Sequence, residues 1–254
     1  MKYLLFPIRV LFSVYGFVLF ILVMLVLFPF VIIATFFGKI RGGNIIYNIC
    51  QLWADIMMVF WGIRHINIFE TPHDRSRQYV FVFNHISYMD IPIIMKAIRN
   101  QHFRVLGKSE MATIPVFGLF YRNAVVMVDR SSAEKRAISL KKLKAVIRKG
   151  ISVVIAPEGT FNMTAQPLKE FYDGAFKIAI ETQTPIKPIL FLDSYDRLNY
   201  KSIFSLSPGK SRAVYLEEIS VVGLTNKDVR LLKEKVYQLM EEKLITYKAS
   251  WIAN

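Results

Sequence analysis

Hydrophobic and polar positions divide this chain into two unlike parts. From Val10 to Phe37 no residue carries a charge, a run of 28 residues. As a helix such a run extends about 40 Å, more than the roughly 30 Å of a bilayer's hydrocarbon core. It is longer than the apolar region of a secretory signal, and no clear small-residue cleavage site follows it. Pro29 predicts a kink or an end within it. Gly38, Lys39, Arg41, Gly42 and Gly43 then make a basic turn. The next stretch, NIIYNICQLWADIMMVFWGI, is again apolar, with Asp55 its only charge and Trp53 and Trp61 placed as interfacial tryptophans are. Two arrangements satisfy this pattern: a spanning helix followed by a core helix, or a helical hairpin lying partly in one leaflet.

Beyond Arg64 the apolar runs shorten and alternate with amphipathic stretches. YVFVF (79–83), HFRVLG (102–107), NAVVMVD (123–129), ISVVIAP (151–157), PIKPILFLD (185–193) and AVYLEEISV (213–221) read as strands. DIPIIMKAIRN begins a helix with Pro92 in its first turn, and AEKRAISLKKLKAVIRKG is a basic helix stopped by Gly150. GAFKIAIET and NKDVRLLKEKVYQLMEEKLITYK complete the helices. This alternation predicts an α/β fold: a mixed, largely parallel sheet flanked by helices, preceded by an N-terminal hydrophobic helical membrane motif. The expected division is 1–64 for the membrane-associated motif and 65–254 for the α/β domain. In such sheets, chemistry gathers in loops at the carboxyl ends of the strands.

Composition narrows the partners. The 254 residues are 54% hydrophobic and carry a net charge of +14, from 33 basic and 19 acidic residues. A basic chain favours nucleic acid or an anionic membrane surface. The long apolar run selects the membrane and leaves nucleic acid without support. Lys39 and Arg41 place the turn after the first helix on the cytoplasmic side of the cell inner membrane. A single cysteine, Cys50, excludes an intrachain disulfide or a Cys-rich metal site. His65, His73 and His102 lack ligand spacing such as H-x-x-x-H, so no metal site is expected.

Four stretches could carry chemistry. FNHISYMD (83–90) follows a predicted buried strand and sets His85 five residues before Asp90. That spacing alone is weak, but at a strand-to-helix corner the carboxylate can turn back to the imidazole and leave its other nitrogen free as a base. Asp90 also suits the cap of the helix that follows. APEGTFN (156–162) follows a second buried strand. Gly159 there permits an unusual backbone angle, and Glu158 is either a surface turn residue or aimed at whatever the His85 corner binds. Arg130, just after a strand, can grip a phosphate or pair locally with Asp129 or Glu134. Lys108 and Glu110 open a segment, LGKSEMATIPVFGLFYR, whose apolar residues suit core or a channel wall.

Asn84-His85 with Asp90, the Lys108 segment, Asp129-Arg130, Pro157-Glu158-Gly159-Thr160 and Pro185-Ile186 follow one another in that order. Together they resemble the four-block pattern of the glycerolipid acyltransferase family, whose best-known members are the 1-acylglycerol-3-phosphate acyltransferases. The apolar N-terminal segment is similar to the two-helix membrane motif of family members. The resemblance implies a membrane-bound enzyme that transfers an acyl chain from acyl-CoA or acyl-carrier protein to the free hydroxyl of a lysophospholipid, making phosphatidic acid without a cofactor. It assigns His85 as general base and Asp90 as the group that orients it. It gives Arg130 to the acceptor's phosphate, Glu158, Gly159 and Thr160 to the glycerol-phosphate site, and Lys108 to a phosphate or the tetrahedral oxyanion. The chemistry agrees: a thioester is already activated, so one positioned base can suffice to engage a hydroxyl.

One position departs from the pattern. The family usually has Arg after the Glu-Gly-Thr triplet, and here Phe161 stands there. That leaves room for another lysolipid acceptor, such as a lyso-ornithine or other aminolipid. A non-catalytic membrane-binding protein of the same fold is the alternative from another class.

Overall fold

The computed structural model describes residues 2–128 and 132–252. Among them the centre is a seven-stranded sheet, made of β1 (Ile63–Phe69), β2 (Val80–Phe83), β3 (Phe103–Lys108), β4 (Val125–Val128), β5 (Ser152–Ile155), β6 (Ile186–Phe191) and β7 (Gly209–Tyr215). The spatial order is β1-β7-β6-β2-β5-β3-β4. Neighbours pair in parallel except β6 and β7, which run antiparallel. The sheet is therefore mixed and largely parallel, as the strand–helix alternation predicts.

Strands covered on both faces need apolar residues at every position, not at alternate ones. VFVF of β2, SVVI of β5 and IKPILF of β6 are buried throughout. Successive residues feed opposite cores, because side chains alternate across a strand. Phe81, Phe83, Val154 and Ile189 join one core, and Val80, Val82, Val153 and Ile155 the other. The first core is covered by α1 (Lys2–Thr35), α2 (Gly43–Phe60), α3 (Asp90–Ala97) and α4 (Phe117–Ala124). The second is covered by α5 (Ala133–Ile147) and α6 (Gly174–Thr182), while α7 (Ser194–Arg197) is a single turn after β6 and α8 (Val229–Thr246) completes the outer layer.

α1 and α2 form a hairpin through a tight π-helical turn, Gly38–Gly42. Gly42 is required there, since a Cβ would lie 2.2 Å from the Ala34 carbonyl oxygen. α2 is the inner helix, burying Ile46, Tyr47, Ala54, Met57 and Met58. α1 packs outside it yet touches the α/β layers along much of its length. Near its start, the Leu206 amide donates to Ser13 Oγ at 3.1 Å. One turn on, Trp61 Nε1 donates to the Gly16 carbonyl at 3.3 Å. Farther along, the Phe28 ring stacks 6.4 Å from Phe120. Its other side is bare, and Phe6, Leu11, Phe17, Val26, Phe30 and Ile33 are each more than half exposed. Residue 64, the expected boundary of the helical motif, falls inside β1. The hairpin and the sheet share one hydrophobic core.

One detail differs from the sequence pattern. The strand expected over 213–221 ends at Tyr215, after which the chain returns to β6 only through an Ile186–Ile219 bridge. The basic helix α5, whose side of the sheet no sequence pattern predicts, lies on the sheet face opposite the apolar hairpin.

Arg104 of β3 fastens the hairpin tip to the sheet. Its guanidinium lies 5.0 Å above the Tyr47 ring and donates to the Ile40 carbonyl at 3.2 Å and to Asn44 Oδ1 at 2.9 Å. Arg104→Met keeps the stem but removes these donors, and it should cost about 2 kcal/mol. It should also speed proteolysis within residues 38–42. An unchanged urea midpoint and cleavage rate would show that this arginine does not hold the hairpin down.

Candidate active site

The carboxyl ends of β2, β5 and β6 meet at one end of the sheet, and the loops that leave them build a single cluster. The first residue past β2 is Asn84, 1% exposed. Its Nδ2 donates to the Phe191 carbonyl at 3.1 Å, and its Oδ1 accepts from the Phe191 amide at 2.8 Å. The side-chain amide thus supplies one more rung between β2 and β6 and fixes where the chain turns away.

His85 follows, half-buried. Its Nδ1 is 2.8 Å from Asp90 Oδ2. The same oxygen accepts the backbone amides of Ile86 and Ser87, each at 3.0 Å. Three donors on one carboxylate oxygen lock the corner and favour an Nδ1–H tautomer, which leaves Nε2 with its lone pair. Among the described residues, Nε2 has no hydrogen-bond partner. Asp90 opens α3 but makes no side-chain cap to it. The capping role that its position suits is not the one its carboxylate takes, because the amides of the corner and the imidazole occupy it first.

The second loop wraps around His85. Gly159 adopts φ +72°, the left-handed angle that a glycine permits at no steric cost. The Gly159 amide closes a tight turn onto the Ala156 carbonyl at 3.0 Å. This turn folds Glu158 inward, where it is fully buried. Its Oε1 accepts the His85 amide at 2.8 Å, and its Oε2 accepts the Lys169 amide at 2.9 Å. Glu158 is thus not a surface residue: it is buried, with one backbone amide on each carboxylate oxygen. The Asn162 amide donates to the His85 carbonyl at 2.7 Å, so the peptide groups of His85 are held from both sides. The Phe161 ring sits 4.4 Å from the imidazole, with Tyr88 5.0 Å beyond it edge-on.

The other expected residues scatter. Thr160 belongs to the cluster, and its Oγ1 accepts from Lys169 Nζ at 2.8 Å. Lys108 ends β3 as an exposed residue with no hydrogen bond to this group. Arg130 lies outside the described residues. Lys169 and Asn162 carry no motif of their own. Lys169 stands eleven positions after Glu158, and only the fold brings it back. A cavity of about 700 Å³ lined by Gln78, Arg148, Gly150 and Thr184 is at the amino ends of the strands, away from His85.

Burial pushes the Glu158 carboxyl up to about 8, against the two backbone amides that favour its charged form. An unfolded Glu loses its proton near 4.5, so unfolding releases a proton between 4.5 and 8. The stability from this group is therefore full at low pH and falls as pH rises through that window. In urea melts, the stability of the wild type relative to Glu158→Gln should shrink steadily from pH 4.5 to 8. A difference that stays constant or grows would contradict the assigned burial of this carboxyl.

Three kinds of comparison bear on the cluster. A family model described as Acyltransferase matches residues 64–192. The 1-acyl-sn-glycerol-3-phosphate acyltransferase of Cocos nucifera is 28% identical over 176 residues, 68% of this chain and 53% of that protein. The chain thus spans about half the length of that relative. The beta form of the same enzyme in Homo sapiens is 28% identical over 207 residues, 79% of this chain and 72% of that one. The enzyme of that name in Haemophilus influenzae is 24% identical over 216 residues, 84% and 88% of the two chains. The crystal structure of the 1-acyl-sn-glycerophosphate (LPA) acyltransferase PlsC from Thermotoga maritima superposes with a TM-score of 0.73 at 19% identity, over 100% of both chains, a likeness of fold.

Proposed function

This chain belongs to the acyltransferase family, and from that membership we propose that it acylates the free hydroxyl of 1-acyl-glycerol-3-phosphate to give phosphatidic acid. The observation that carries the reading is the His85–Asp90 pair, with Nδ1 held at 2.8 Å and Nε2 left open beside a half-exposed aromatic wall. In this reading Nε2 takes the proton of the acceptor hydroxyl as its oxygen attacks the thioester carbonyl of acyl-CoA or acyl-carrier protein. Asp90 holds the ring and stabilises the imidazolium that forms. The tetrahedral intermediate collapses, the thiolate leaves, and the imidazolium returns the proton to it. No acyl-enzyme is needed. The names of the relatives point to this acceptor. Lys108 and Arg130 are proposed as further contacts to phosphate or oxyanion.

The purified chain should acylate lysophosphatidate with either acyl-CoA or acyl-carrier protein as donor. His85→Ala should lose about 10²- to 10⁴-fold in kcat, the usual contribution of a general base. Full activity in His85→Ala would remove the base from the mechanism. A wild type that acylates other lysolipids but not lysophosphatidate would favour the second acceptor reading, which the apolar Phe161 supports.

The membrane contact is proposed to be one-sided. α1 has a stretch, Phe6–Thr35, long and apolar enough to cross a bilayer. Its contacts to the α/β layers at Ser13 and Phe28 are about 22 Å apart along the helix, so a crossing helix would draw polar loops into hydrocarbon. The hairpin instead lies in one leaflet with the bare side of α1 in the lipid, and the whole domain sits on the cytoplasmic face of the inner membrane. Lys2→Cys at the start of α1 and Lys149→Cys just after α5 should then label from the same side of sealed vesicles. Labelling from opposite sides would show that α1 crosses.

A further inference from the structure

We infer, on the acyl-transfer reading above, that Lys169 and Thr160 form the binding site for the acceptor's phosphate, supplying the cation that position 161 lacks. Four observations lead there. Lys169 is half-buried, and its ammonium makes one hydrogen bond, to Thr160 Oγ1 at 2.8 Å. An ammonium has three donors, and among the described residues the other two have no partner and no carboxylate pairs with it. The acid nearest in the network, Glu158, hydrogen-bonds two backbone amides and not the ammonium, which acts on it only through space.

Position is the second observation. One carboxyl group binds the His85 amide at 2.8 Å and the Lys169 amide at 2.9 Å. The backbones that carry the base and the free cation are therefore held one carboxylate apart. Thr160 Oγ1, already an acceptor from Lys169, keeps its own O–H to donate to a phosphate oxygen. The third observation concerns residue 161. Its phenyl ring packs on the imidazole at 4.4 Å and against Tyr88 at 5.0 Å, so it shields His85 and carries no charge toward a ligand. The fourth is the backbone: Gly159 at φ +72° turns the chain so that Glu158 points inward and Thr160 follows on the side of Lys169. A phosphate monoester matches two N–H donors and one O–H donor on a partly desolvated cation, where screening is weaker than at an open surface.

The test is equilibrium binding to the full chain in detergent micelles, with lysophosphatidate, uncharged 1-monoacylglycerol and CoA as probes. Wild type should prefer lysophosphatidate to monoacylglycerol. Lys169→Met should bind lysophosphatidate about tenfold more weakly, the loss of one charge-assisted hydrogen-bonded contact, and monoacylglycerol and CoA as before. Lys169→Arg should restore most of the loss, which a merely structural lysine would not show. The Glu158 clamp uses the backbone amide of residue 169, so these variants keep it. Unchanged lysophosphatidate affinity in Lys169→Met would overturn the site, as would equal weakening for all three probes. A loss confined to CoA would also overturn it, assigning the lysine to the donor. A chain that binds lysophosphatidate through Lys169 without acylating it would count against the proposed reaction and leave the site standing.

Discussion

The buried carboxyl of Glu158 ties together the loops that leave the neighbouring strands β2 and β5. One leaves β2 with His85, and the other returns at Lys169 after leaving β5. A fully buried acid with two backbone donors is costly to empty, because losing it would strand two amides in a dry interior. Everything at this end of the sheet is referred to that group. Asn84 sets the exit of β2, Asn162 holds the far side of the His85 peptide, and Asp90 turns back on the ring. The imidazole is fixed by contacts to its backbone and to one ring nitrogen, and the other nitrogen stays open.

The two sides of the sheet divide the remaining work. The hairpin of α1 and α2 covers one core and shows a bare apolar side. The basic helix α5 and its neighbours close the opposite core, away from that surface. Under the proposed reading the lipid acceptor comes from the membrane side. Residues 202–206 suit that entry: they touch the start of α1 through Ser13 and Arg9, and through Asn199 they reach the loop of Ser87. The hairpin is then part of the site's access and not only an anchor.

Much of this was legible in the sequence. Mostly apolar four- to six-residue runs marked the buried strands β2, β5 and β6, with Ser152 and Lys187 the polar exceptions, because central parallel strands have no polar face. The strand β1 was not legible. IRHINIF mixes buried and exposed positions at the sheet's edge and directly follows the apolar hairpin, whose composition hides its start. Partnering of β7 was equally hidden, since antiparallel pairing with β6 depends on a long excursion through 194–208 that no local pattern dictates. At the site, His85 and Asp90 could be joined from spacing at a strand end. Glu158 could be placed at the same end of the sheet, but not inverted into the interior, because that depends on the left-handed turn at Gly159 and on amides from residues far apart in sequence. Lys169 had no signal of its own. The aromatic shield of Phe161 was visible only as a missing cation.

The central claim is that Asp90 holds His85 in the tautomer that presents Nε2 as a base. Nitrogen-15 NMR of the histidine rings in the full chain, with His85 assigned by its loss in His85→Gln, reads this directly at a pH where the ring is neutral. The account predicts that wild type carries the proton on Nδ1 and leaves Nε2 bare, and that Asp90→Ala loses this preference. A wild-type His85 protonated on Nε2 would contradict it.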